Sequence, residues 1–265
     1  MPFDLTVKKN SPNNAVDAKR AAMEAAKAAK APGAVDAVLM KYIAPTQCPD
    51  RNHIVFDDSG SMGSEIANAK KGVVEYLRNC IPNQTAVALY FMNSGTLELQ
   101  SDLISLATAV EEKYLKSGHT PFFNTLKRAL QSASAPTRLI AFTDGAPTDQ
   151  LQSEENEAAV QGYWSYNLDA WKASANIIIK IAHAVASKAS KCIPIDTVYF
   201  GPSDTYTQKN IDLLKYLSEQ TGGFFLHFDP AKVNFRTAFK YLAPVNRLAL
   251  TDGSFRAALE RGEKQ

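Results

Sequence analysis

Three apolar runs constrain this chain most: "TAVALYFM" at 85–92, "RLIAFTDG" at 138–145 and "IPIDTVYFG" at 193–201. Runs with so little polar alternation belong to strands covered on both faces. "HIVF" at 53–56 and "FFLHF" at 224–228 read as shorter strands of the same kind. Between them the apolar residues switch to helical spacing. Ile66, Val73, Val74 and Leu77 share one face, as do Phe123, Leu126 and Leu130. Residues 105–116 and 230–242 and the segments "SANIIIKIAHAVASKA" and "QKNIDLLKYLSEQTGG" also read as helices, the last closed by Gly222-Gly223 as a C-cap. Asn93-Ser94-Gly95 makes a turn into "TLELQ", whose alternation suits an antiparallel edge strand. Alternating strands and helices predict an α/β fold: a doubly wound, mainly parallel sheet with one antiparallel edge strand and helices on both faces.

The flanks read differently. Residues 13–31, "NNAVDAKRAAMEAAKAAKA", are alanine-rich and predict a helix that Pro32-Gly33 ends. "APTQCPDRN" at 44–52 reads as a linker. The expected organisation is an N-terminal extension over 1–49, a main domain over 50–243 and a C-terminal extension over 244–265.

Composition excludes several function classes. The 265 residues are 45% hydrophobic and 21% charged, enough to bury a core. With 29 basic and 27 acidic residues there is no basic surplus for nucleic acid. Cys48, Cys80 and Cys192 are too scattered for a disulfide framework or a zinc site, which suits a reducing compartment. "MPFDLTVKKN" lacks the apolar stretch of a signal peptide, and the apolar runs are too short to span a membrane. The expectation is a cytoplasmic protein.

In an open parallel sheet, ligands bind beyond the carboxyl ends of the strands. Asp57, Ser59 and Ser61 follow the first strand in D-x-S-x-S spacing; Thr120 lies in "SGHTP" and Asp144 in "FTDG". All are carboxylates or hydroxyls, hard ligands that suit Mg²⁺, Mn²⁺ or Ca²⁺ and are poor for zinc or copper. Gly60 and Gly63 let the backbone wrap around a common point. Without an ion, Asp57 could instead cap a helix and the serines fill a polar turn.

With "DDSGSM" at 57–62, Thr120 in "GHTP" and "TDGAPTD" at 143–149, the chain resembles the von Willebrand factor A (VWA) domain family over residues 50–243, and most of all its intracellular microbial members. The resemblance implies a Rossmann-like fold and a metal-ion-dependent adhesion site. In it Ser59 and Ser61 bind Mg²⁺ (or Mn²⁺, with Ca²⁺ less suited) directly, Asp57 and Asp144 hold its waters, and Thr120 joins when a ligand arrives. With neutral hydroxyls as direct ligands, such an ion keeps much of its charge and favours a Glu or Asp from a partner protein. Intracellular relatives act as adaptors, some of them in ATPase complexes.

Other readings compete. A haloacid-dehalogenase-like phosphatase needs D-x-D after its first strand, where this chain has Ser59 in the second position. No Walker-type phosphate loop and no G-x-S-x-G occur, and a hydrolase built on Ser61 would have only His119 near enough to serve as a base. An assembly protein with an incidental metal is a third reading. His119 reads as a locally bonded loop residue, and His183 and His227 as packed or half-exposed. Residues 150–172 hold Tyr163, Trp164, Tyr166 and Trp171, which serve either as interface anchors or as packing for an insertion.

Overall fold

The structure, a computed structural model, describes residues 51–79, 81, 85–133, 137–156, 159–160, 168–186, 192–202 and 207–228. The helices expected over 13–31 and 230–242, the C-terminal extension, and Tyr163, Trp164 and Tyr166 lie outside the described residues.

Strands β1 (Arg51–Phe56), β2 (Ala86–Phe91), β3 (Gly95–Gln100), β4 (Thr137–Thr143), β7 (Ile195–Phe200) and β8 (Phe225–Phe228) form one six-stranded sheet in the order β3-β2-β1-β4-β7-β8. All neighbours pair in parallel except β2 with β3, so β3 is the antiparallel edge. Helices α1 (Glu65–Asn79), α2 (Leu103–Glu112), α3 (Phe122–Gln131), α4 (Leu168–Ala184) and α5 (Gln208–Thr221) connect them. This is a Rossmann-like α/β fold. The chain builds outward from β1 to β2 and β3, then crosses to β4 on the other side of β1. The topological switch therefore falls between β1 and β4, where this architecture places its crevice.

Two hydrophobic layers follow from strand alternation. Ile54 and Phe56 join Val73, Leu77, Leu89, Leu106 and Phe142 beneath α1 and α2. Val55 joins Phe123, Leu126, Ala141, Ile178 and Leu214 beneath α3, α4 and α5. Because both faces are covered, the central strands are buried on both sides, with apolar runs such as Leu139–Phe142 broken by buried polar residues such as Arg138 and Asp196.

Several boundaries differ from expectation. β1 starts at Arg51, inside the expected linker, because Arg51 and Asn52 pair with Ala86, Val87, Thr137 and Arg138 on both sides. α2 starts at Leu103 rather than 105 because Asp102 caps it: its carboxylate accepts from Ser105 N at 3.1 Å and from Ser105 Oγ at 2.6 Å. α4 starts at Leu168, within the aromatic segment. Trp171 thus lies in a helix and is 2% exposed, packing the core rather than facing a partner. Ahead of it a short hairpin pairs β5 (Asp149–Gln150) with β6 (Ala159–Val160).

Gly222 caps α5 in the left-handed region at φ 74°, as the double glycine suggests. Gly223 has a different reason: a Cβ there would lie 2.0 Å from the carbonyl oxygen of Ile195. No helix among the described residues is long and apolar enough to cross a membrane.

Candidate metal centre

Strand pairing brings the first and third motifs together. Phe56 is paired with Phe142, and Asp57 N–H donates to Phe142 O at 3.1 Å, so both strands end at one level. Asp57, 1% exposed, forms the floor. Its Oδ1 accepts from Ser59 N at 2.9 Å and its Oδ2 from Thr143 Oγ1 at 2.6 Å. The chain then makes a single 3-10 turn, Gly60–Met62, closed by Gly63 at φ 42°, a conformation that favours glycine. That turn lifts Ser61 to the surface while Ser59 stays buried.

Oxygen atoms gather above Asp57. Ser59 Oγ and Ser61 Oγ share a hydrogen bond of 2.9 Å, and Ser61 Oγ donates to Asp144 Oδ1 at 2.7 Å. Thr120 enters from a third loop. Its N–H donates to Thr148 Oγ1 at 3.0 Å, and Thr148 N–H returns to Thr120 O at 2.9 Å. Gly145 marks where the loops meet: a Cβ there would lie 3.2 Å from Ser61 Oγ and 3.8 Å from Thr120 Oγ1. All five residues singled out in the sequence, Asp57, Ser59, Ser61, Thr120 and Asp144, are thus gathered at one end of the β1–β4 crevice.

The site disfavours negative charge on its own carboxyls, as it would where a cation is expected to offset it. Burial, and then the nearby Asp57, push the Asp144 carboxyl up to about 7, against the hydrogen bond from Ser61. Burial also raises Asp57, opposed by its bonds from Ser59 and Thr143. Neither carboxylate has an ion-pair partner among the described residues. Among the described residues no trio of His, Cys, Asp or Glu is grouped to hold a metal, and at this site hydroxyls outnumber the two carboxylates.

The donor set, hydroxyls with carboxylates, fits a hard cation. Octahedral Mg²⁺ at about 2.1 Å from each ligand sets neighbouring oxygens about 3.0 Å apart, whereas Ca²⁺ distances spread them to about 3.4 Å. The serine and Asp144 oxygens stand 2.9 and 2.7 Å apart, which are ordinary O–H···O hydrogen-bond lengths; they gather the oxygens at one site without choosing between the two ions.

Sequence reasoning missed some supporting residues. Thr143 lies within the third motif but was not singled out, although its hydroxyl holds Asp57 and accepts from Gly145 N at 3.1 Å. Asp149 caps α3, the helix that begins just after Thr120: it accepts from Phe123 N at 3.1 Å and Asn124 N at 2.7 Å. Burial pushes its carboxyl up to about 6, against those bonds. The folded state therefore holds this proton more tightly than the unfolded chain, and Asp149's contribution to stability falls as pH rises from about 4 to about 6. Relative to Asp149→Asn, which keeps an acceptor but cannot ionise, wild-type stability should drop by up to about 3 kcal/mol across that window and stay level above it. Denaturant melts at matched pH values check this.

The histidines hold no place among these ligands. His119 is exposed, and its carbonyl accepts from Asn93 Nδ2 at 2.8 Å. His183 is exposed on α4, and His227 pairs with Gly201 O at 2.8 Å. His53, uninformative in the sequence, is a core residue 2.8 Å from Ala129 O, with burial holding its pKa low.

No family model and no curated protein matches the chain. Among solved structures it is similar to proximal thread matrix protein 1 from the mussel byssus, with 13% identity and a TM-score of 0.47 over 75% of this chain and 47% of that one. It is also similar to the manganese-loaded TRAP protein of Plasmodium vivax, with 14% identity and a TM-score of 0.42 over 74% and 72% of the two chains. The chain thus spans about half the length of the first of these.

Proposed function

We propose that Asp57, Ser59, Ser61, Thr120 and Asp144 hold one Mg²⁺ or Mn²⁺ ion and offer it to a carboxylate of a partner protein. The carrying observation is the convergence of Ser59, Ser61, Thr120 and Asp144 oxygens from three loops at an exposed mouth above a buried carboxylate. Ser59 and Ser61 would be direct ligands. Asp57 already accepts a bond on each oxygen, which suits it to steady a metal-bound water rather than to bind the metal. Thr120 would complete the set from the third loop. A bound ion supplies positive charge little neutralised by its direct ligands, and a Glu or Asp side chain is the natural guest.

The chain then acts as a binding module, an adaptor in the cytoplasm, with a place in a larger ATPase-type assembly implied by the family resemblance. Against a phosphoryl-transfer enzyme stands the direction of Asp58. It accepts from Asn93 N at 2.7 Å and from the Ser94 hydroxyl, and so supplies no second carboxylate beside Asp57.

Titration of Mg²⁺ into chelator-treated protein should give one site, with weaker binding of Ca²⁺. Ser59→Ala with Ser61→Ala should remove that site and, with it, any EDTA-sensitive partner. An unchanged isotherm in the double variant overturns the assignment.

A further inference from the structure

The loop between α2 and α3, residues 113–121, has no regular secondary structure, yet it must hold Thr120 against the other two loops. No sheet ladder or helix fixes its height. Thr148 pairs with Thr120 itself and Lys70 reaches Lys113 O at its start; three further residues outside the ligand set brace the middle of the loop. Asp58, 0% exposed, accepts from Asn93 N at 2.7 Å and from the Ser94 hydroxyl, which ties the end of β1 to the β2–β3 turn. Ser94 Oγ in turn accepts from Lys116 N at 2.6 Å, and Asn93 Nδ2 donates to His119 O at 2.8 Å. Gly118 O accepts from Gly60 N at 3.0 Å, between the two serines. The path leaves β1 at Asp58, crosses the turn, descends the loop and returns to the serine turn. It is a closed ring of hydrogen bonds.

Gly118 shows how closely the ring is fitted. A Cβ there would lie 2.3 Å from Asn93 Oδ1, so the amide packs against bare backbone. Nothing larger than glycine fits while Asn93 keeps its bond to His119.

We propose that Asp58, Asn93 and Ser94 form a strut that sets the spacing of the metal-holding loops, with Asn93 and Ser94 as positioning residues that do not touch the ion. The strut rests on the metal reading above and adds what fixes the affinity of that site. Asp58, a third carboxylate beside the motif, serves the scaffold. Its charge is spent on the β2–β3 turn, which leaves the ion's net charge high.

The test is Mn²⁺ binding followed by electron paramagnetic resonance, beside melting of the metal-free protein. Asn93→Ala and Ser94→Ala should each weaken Mn²⁺ about tenfold with little change in metal-free melting, and Ser94→Thr, which keeps the hydroxyl, should restore binding. Gly118→Ala should weaken it similarly by displacing Asn93, and Asn93→Ala combined with Gly118→Ala should be no weaker than either alone. Ser105→Ala, which cuts an exposed cap bond, controls for a loss of melting without a loss of ion. Full affinity in the Asn93 and Ser94 variants, while the double serine variant loses the ion, overturns the strut. So does an affinity loss that merely tracks melting. Retention of Mn²⁺ by the double serine variant overturns the metal reading itself, and the strut falls with it.

Discussion

Asp196→Ala should lower stability by about 3–5 kcal/mol, the usual loss when one partner of a buried ion pair is removed. Asp196 and Arg138 face each other from adjacent strands β7 and β4, with Nε 2.6 Å from Oδ2 and both side chains 1% exposed. The second carboxylate oxygen accepts from Phe224 N at 2.8 Å, just ahead of β8. The alanine variant takes this carboxylate away from a guanidinium in the core and from the Phe224 amide, and each loss carries a desolvation cost. The cost lies in a buried charge that has lost its counter-charge more than in the lost attraction. Arg138→Met with Asp196→Asn removes both charges and keeps an acceptor for Phe224. That pair should recover more than half of the loss in urea denaturation. A double variant as unstable as the single would show that packing, rather than charge, dominates the site.

Gly145→Val should abolish metal binding without unfolding the protein. Gly145 has no positive φ, so valine is not excluded by the backbone. What it meets is the site: its Cβ would lie 3.2 Å from Ser61 Oγ and 3.8 Å from Thr120 Oγ1, and its methyls would reach further into that space. An apolar branch there removes the room for an ion and desolvates the hydroxyls that would hold it. The expected loss is at least about 100-fold in Mg²⁺ affinity, or about 2.7 kcal/mol, with metal-free melting within a few degrees of wild type. Gly145→Ala, which only narrows the space, should fall between. Wild-type affinity in the valine variant would place the ion, if there is one, elsewhere.

Gly145 sits in the T-D-G segment that carried the resemblance, but nothing in the sequence told that its side would face Ser61 and Thr120. The same holds for the strut. Asn93 and Ser94 read as ordinary turn formers, and Gly95, at φ 81°, makes that reading correct as far as it goes. That their side chains also reach Asp58, His119 and Lys116 depends on which loops the sheet order sets side by side. Trp171 shows the opposite case. Its aromatic neighbourhood suggested a surface role as readily as a core one, and burial in α4 decided for the core.

By itself, the sequence determined the order of strands and helices, the antiparallel edge and the oxygen-rich ends of the first and fourth large strands. Those properties are written in local periodicity, since each residue's burial follows its place along its own strand or helix. Only the tertiary structure decided that β4 lies beside β1, which joins Asp57 to Thr143 and Ser61 to Asp144 across more than eighty residues. Likewise it alone decided that Arg138 meets Asp196 and that Asp58 turns toward Asn93. A hydrogen bond or ion pair depends on distance in space, and no periodic pattern along a chain encodes which distant polar group will arrive within about 3 Å.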